Sequence, residues 1–209
     1  MSETAPVIAA VTIEEWRPDL ATDAAVARDL DMLADVLHAV VHGGAGVSFI
    51  VPFSLDDART FWTRSVLPGV VARRRRVLVA RCDSRIVGTV QLDPAWAPNQ
   101  PHRAEVLKLL VHPDARRRGI ARSLMVALEE LARDNGWTLL TLDTWTGQAG
   151  EGLYRSLGYT VVGAIPRFAR GSTTPELEPA TIMYKELNVN SQPPTLNSQL
   201  PTPNSQETF

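Results

Sequence analysis

The chain has 209 residues, 21 Lys and Arg against 23 Asp and Glu, and a formal net charge of −2. This near-neutral balance excludes attachment to nucleic acid by bulk charge, and the length fits one generous domain or two small ones. With 44% hydrophobic residues spread so that no run reaches the roughly 18 needed to span a bilayer, and an acidic start without a basic, apolar export signal, the composition predicts a cytoplasmic globular protein that contacts no membrane.

In chain order, Pro6–Glu15 alternates apolar and polar residues as a first strand does. Thr22 or Asp23 caps a helix carrying Val26, Leu30, Leu33, Leu37 and Val40 at three- and four-residue spacing, and Gly43, Gly44 and Gly46 end it. Ser54 caps a second helix, Leu55–Leu67, which Pro68-Gly69 closes. Arg76–Ala80 and Ile86–Leu92 read as a hairpin around Cys82-Asp83-Ser84-Arg85. A proline-rich loop, Pro94–Pro101, precedes a strand at Arg103–Val111, and Pro113 stops it.

A helix is expected from Ala115 to about Asn135, then a strand at Trp137–Asp143, a short helix at Gly147–Leu157 and a strand at Tyr159–Ile165. Pro166–Pro179 reads as a loop and Ala180–Leu187 as the last strand. Helices alternating with strands, one pair of them a hairpin, predict a mixed α/β sheet. The stretch Asn188–Phe209 repeats Asn-Ser-Gln between prolines and holds a single charge, Glu207. It lacks the apolar content to offset its ordering entropy, so residues 1–187 are expected to form one domain and 188–209 a disordered tail.

Candidate chemistry concentrates in Glu105–Ala127, where an apolar strand turns through Pro113 into Arg116-Arg117-Arg118-Gly119-Ile120-Ala121 and a helix. The first amides of a helix lack intrahelical partners, and its dipole makes that end positive. Gly119 allows close backbone approach to a phosphate, and the arginines add charge. The other reading is a strand–turn–helix junction with a solvated basic surface.

Leu109-x-Val111-x-Pro113 followed by Arg116-x-x-Gly119-x-Ala121 resembles motif A of the GNAT superfamily of acetyl-CoA-dependent N-acetyltransferases. About forty residues on, Leu153-Tyr154-Arg155-Ser156-Leu157-Gly158-Tyr159 resembles that family's L-Y-x-x-x-G-F/Y signature. The resemblance runs from about Arg76 to Leu187. The stretches TWTGQAGEGLYRSLG (144–158) and GAIPRFARG (163–171) also resemble the tabtoxin-resistance type.

The resemblance implies a mixed, mostly antiparallel sheet flanked by helices and splayed between its two central strands. Acetyl-CoA would be the co-substrate, with the backbone of Leu109, Leu110 and Val111 along its pantetheine arm. Arg116, Arg117, Arg118, Gly119, Ile120, Ala121 and Arg122 would surround its pyrophosphate. Tyr154 would lie near the sulfur and protonate the departing thiolate. Where the family often has Asn, seven residues before that tyrosine, this chain has Gly147.

Glu105, at an offset where some members carry a catalytic glutamate, is the expected general base, its pKa raised by partial burial between Ala104 and Val106. Its competing role is a strand-edge partner for Arg103 or Lys108. Asp143 either handles a cationic amine or caps the following turn, and Trp145 is either packing or a substrate platform. The expected acceptor is a small-molecule amine, possible roles in toxin or antibiotic resistance following from the narrower resemblance. Alternatives are a protein or peptide amine, or a non-catalytic coenzyme-binding domain. The chain would act as a monomer or homodimer.

Among the remaining features, one cysteine, Cys82, allows no internal disulfide, and four scattered histidines suggest no metal. Arg73–Arg76 reads as a solvated turn or a phosphate patch.

Overall fold

The computed structural model describes residues 10–188. Residues 6–9 of the expected first strand, and residues 189–209 of the expected tail, lie outside the described residues. Seven strands form one sheet, β1 Val11–Glu15, β2 Arg76–Cys82, β3 Arg85–Pro94, β4 Arg103–Val111, β5 Leu139–Trp145, β6 Thr160–Arg170 and β7 Leu177–Glu186. Their spatial order is β1-β2-β3-β4-β5-β7-β6, and every neighbouring pair is antiparallel except β4 with β5. The expected mixed, mostly antiparallel sheet is therefore what forms. None of the described helices is long and apolar enough to cross a membrane.

Helices cover both faces. On one face lie α1 (Asp23–His42), α2 (Leu55–Thr60), a π-helical stretch at Phe61–Val66 and α3 (Leu67–Val71). Trp62, Leu33, Leu37, Val77, Val79, Ile86 and Leu110 form the core beneath them. On the other face, α4 (Ile120–Asp134) and α5 (Ala149–Ser156) cover Leu78, Leu92, Ala104, Val106, Leu140, Leu142 and Met183. Each large apolar side chain so enclosed contributes about 1.5–3 kcal/mol. The Thr22 hydroxyl accepts from the Ala25 amide, and Ser54 forms a reciprocal capping box with Asp57, so both starts read from the sequence are real helix starts.

Several boundaries differ from the sequence expectation, three of them markedly. The second helical run passes Pro68-Gly69 and ends at Val71, because Pro68 opens a new helical turn after the π stretch, where its missing N–H costs nothing. The fourth helix begins at Ile120 rather than Ala115, because positive φ at Arg117 (63°) and Gly119 (77°) breaks the helical path. Pro166–Pro179 is mostly strand: β6 runs on to Arg170 and β7 starts at Leu177. Pro166 is tolerated because β6 is an edge strand, with a register irregularity between Ile165 and Ala169.

One irregularity shapes the centre of the sheet. Gln91 of β3 faces Leu107 and Thr89 faces Leu110, so two steps on β3 match three on β4. The extra residue is accommodated at a bulge where Lys108 has φ +50°. Side chains alternate along a strand, and the bulge resets that alternation. Ala104 and Val106 join the α4-side core, whereas Leu110 joins the α1-side core and Leu109 and Val111 pack toward α4.

Candidate active site

β4 and β5 pair only through Arg103–Leu139, Ala104–Leu140 and Glu105–Thr141. Beyond that rung they part, β4 running on to Val111 and β5 to Trp145. The backbone of Leu109, Leu110 and Val111 thus lies on a strand edge that β5 has left, while β3 holds the opposite edge through Leu110 and Val111. An extended chain of amides can add to such an edge as a strand would.

At the far end of β4 the turn Arg116–Gly119 leads into α4. Ile120, Ala121 and Arg122 are its first residues, their amides have no partner among the described residues, and Gly119 supplies no side-chain cap. A Cβ built on Gly119 would meet nothing within 4 Å, so the space in front of these amides is open. Positive φ at Arg117 and Gly119 curls the backbone around that space. The surrounding side chains are tied back: Arg116 Nε donates to the Val111 carbonyl (3.3 Å), Arg122 to Ser156 Oγ (2.7 Å), and an Arg118 nitrogen lies 4.0 Å from Cys82 Sγ. The result is a cationic, amide-lined turn of a kind that can hold an anion.

Glu105 is exposed by area although its neighbours Ala104 and Val106 are buried. Their side chains go to the α4 core, and Glu105 faces the opposite side with the open cleft before it. Water is still partly displaced from its carboxyl, and this desolvation is the main reason its pKa lies above the usual Glu range. The negative charge of Asp143 adds to that rise and Arg103 opposes it, with smaller contributions from Asp93 upward and Lys108 downward. The pairing with Arg103 or Lys108 is not made: neither forms a salt bridge with Glu105, and Arg103 instead donates to Gln100 and Thr141.

Asp143 does not end its strand, which continues to Trp145. It is exposed on the cleft side and accepts no hydrogen bond among the described residues, so the capping role is not observed. Tyr154 is 7% exposed on α5, edge-to-face with Tyr159 at 5.6 Å. Burial first, and Asp143 second, push its phenol far above the normal range, so it stays protonated. Asp143 thus acts on both Glu105 and Tyr154.

Trp145 is partly buried and packs close to two glycines. A Cβ on Gly46 would come within 2.8 Å of its ring, and one on Gly171 within 3.6 Å, so the indole lies between the α1–α2 loop and the β6–β7 turn. The same two segments are stitched by Ser172, whose hydroxyl donates to the Ala45 carbonyl and whose carbonyl accepts from Val51 N at 2.9 Å. Gly147 donates its amide to Glu151 at 2.7 Å.

Sequence reading missed Lys108 and its surroundings. Its bulge places it on the Glu105 side of β4, where its Nζ donates to Ser48 Oγ at 3.1 Å. The arginine run leading into β2 and including its first residue is largely committed elsewhere: Arg73 to Asp19, Arg75 to Asp93 and Arg76 to Glu15.

The acetyltransferase (GNAT) domain family model matches residues 73–161. An uncharacterized N-acetyltransferase from the hisH–hisA intergenic region of Azospirillum brasilense is 36% identical over 118 residues, 55% of this chain and 67% of that protein. Human N-acetyltransferase 8 is 34% identical over 87 residues, 41% of this chain and 38% of its own, so the chain spans under two fifths of that relative. Among solved structures, the acetyltransferase yncA from Salmonella typhimurium, determined with its cofactor acetyl-CoA, aligns with a TM-score of 0.63 at 20% identity, covering 88% of this chain and 98% of that one. That likeness shows a shared fold.

Proposed function

Because the chain belongs to the GNAT superfamily of N-acetyltransferases, we propose that it moves the acetyl group of acetyl-CoA to the primary amine of a small molecule by direct attack in a ternary complex. The observation that carries this reading is the parting of β4 from β5 beyond Glu105 and Thr141. It leaves one continuous strand edge with an anion cradle at its far end and a carboxylate at its near end. The open space at Gly119 and the unpartnered amides of Ile120–Arg122 suit the coenzyme's pyrophosphate, and Leu109–Val111 suit its amide-bearing arm. When bound, acetyl-CoA supplies an activated thioester.

The chain's own groups divide the remaining work. Glu105, its proton affinity raised by desolvation and by Asp143, accepts the proton that the attacking ammonium must lose. A β4 amide near Leu110 or Val111 stabilises the oxyanion as the carbonyl becomes tetrahedral. Tyr154, kept as a phenol by burial, gives its proton to the departing thiolate. Direct attack is supported by the position of the one cysteine, Cys82, which ends β2 opposite Arg85, at the other end of β3 from Asp93, the residue that faces Glu105.

The test is a thiol-release assay with acetyl-CoA against a panel of amines, amino acids and aminoglycosides. Thiol release that depends on one class of small amine is the expected result. Release only with peptide amines overturns the acceptor class, and no release with any amine overturns the enzymatic reading.

A further inference from the structure

In an unbroken strand Lys108 would share a face with Ala104 and Val106, beneath α4. The bulge turns it to the opposite face, with Glu105. The two residues are three apart, about 10 Å of strand, a span that two side chains can close around one small molecule. The Lys108 ammonium is held before any ligand arrives. Its Nζ bonds Ser48 Oγ (3.1 Å) and lies 5.7 Å from the centroid of the Phe49 ring. That ring is itself fixed by Phe53 at 4.7 Å and Phe61 at 5.1 Å.

Among the described residues this ammonium makes no ion pair, although Glu105 and Asp143 are near enough to favour its charge. Its burial outweighs them, with Arg75 adding to the effect, and lowers its pKa. Every other feature of the position spends backbone regularity and hydration to hold a cation at the acceptor end of the cleft. A half-desolvated cation without a counter-ion gains from an incoming anion.

From this geometry we infer that Lys108, with Ser48 beside it, is a carboxylate-holding subsite for the acceptor. The substrate is then an amino-acid-like molecule whose amine lies toward Glu105 and Asp143 and whose carboxylate lies on Lys108. This rests on the acetyltransferase reading and names the acceptor class within it.

The experiment compares acceptor pairs that differ only in that group, amino acids and their carboxamides, by kcat/KM for the wild type, Lys108→Gln and Lys108→Arg. A charge-assisted hydrogen bond is worth about ten- to a hundredfold, so the wild type is expected to prefer the acid by that factor. Lys108→Gln is expected to bring the ratio within about threefold of one, and Lys108→Arg to restore most of it. A purely structural lysine would instead lower Tm in Lys108→Gln and leave the ratio intact, which overturns the assignment. It is also overturned if the amide is preferred, or if no amino acid is acetylated by a protein that acetyl-CoA stabilises. Absence of that stabilisation overturns the acetyltransferase reading itself, so the two failures are distinguishable.

Discussion

Asp143 raises the proton affinity of Glu105 from across the cleft. It lies two residues beyond Thr141, the β5 residue paired with Glu105 at the last rung before the strands part. Both therefore point to the same face of the sheet, and the divergence of the strands opens the space between them. A carboxylate whose charge is disfavoured by desolvation and by a second carboxylate is suited to taking a proton near neutral pH.

This coupling has opposite consequences for turnover and stability. Because its folded pKa is raised, Glu105 imposes no penalty below the unfolded carboxylate pKa of about 4.3, and destabilises the fold as pH rises through the folded value. Glu105→Gln is expected to melt at the same temperature as the wild type near pH 4 and higher than it at pH 8, while turning over more slowly. Asp143→Asn is expected to shift the acidic limb of the kcat/KM profile to lower pH. Calorimetry and pH–rate profiles check the pair, and an unmoved limb removes Asp143 from the site.

Acetyl-CoA and coenzyme A are expected to raise Tm in a concentration-dependent way, by about 2.7 kcal/mol of added stability at a hundred times Kd. NADH and ATP are expected to do much less. Differential scanning fluorimetry at matched concentrations measures this directly.

Gly119 is expected to control coenzyme affinity. Its φ of +77° costs an ordinary residue about 1–2 kcal/mol, whereas asparagine tolerates that region better. Gly119→Val should therefore lower Tm as well as raise the acetyl-CoA KM by about tenfold or more. Gly119→Asn should raise KM with little change in Tm, because its side chain enters open space in front of the amides. An unchanged KM in the folded asparagine variant would place the pyrophosphate elsewhere.

For Tyr154 the phenol and the ring separate cleanly. Tyr154→Phe keeps the edge-to-face contact with Tyr159 and should lower kcat by roughly ten- to a thousandfold with a smaller effect on acetyl-CoA KM. Tyr154→Ala removes a buried ring and should cost about 3–5 kcal/mol of stability. Wild-type kcat in the phenylalanine variant would assign Tyr154 to packing alone.

The strand–turn–helix order around Gly119 was legible because local rules govern it, a strand and a glycine turn both leaving marks in adjacent residues, whereas Glu105 and Tyr154 were named from the family resemblance. The bulge at Lys108 left no such mark. Leu107, Leu109, Leu110 and Val111 are all apolar, so either register buries something, and the shift shows only in which core each side chain joins. Trp145 was equally opaque, since its position is set by Gly46 and Gly171, distant in sequence from it and from each other. The extension of β6 through Pro166 was hidden by reading proline as a loop signal without knowing that the strand lies at an edge.

Three rungs are all that join β4 to β5, so the sheet consists of a four-stranded half and a three-stranded half meeting at a narrow waist. Beyond those rungs the facing lips of β4 and β5 make no ladder with each other. A bound molecule that donates and accepts along the β4 lip completes the missing ladder and clasps the halves together. Hydrogen–deuterium exchange is therefore expected to slow at residues 106–111 when acetyl-CoA is added, with strands β1 and β2 much less affected. On this view the ligand is a temporary eighth strand, and the protein is at its stiffest only while it is working.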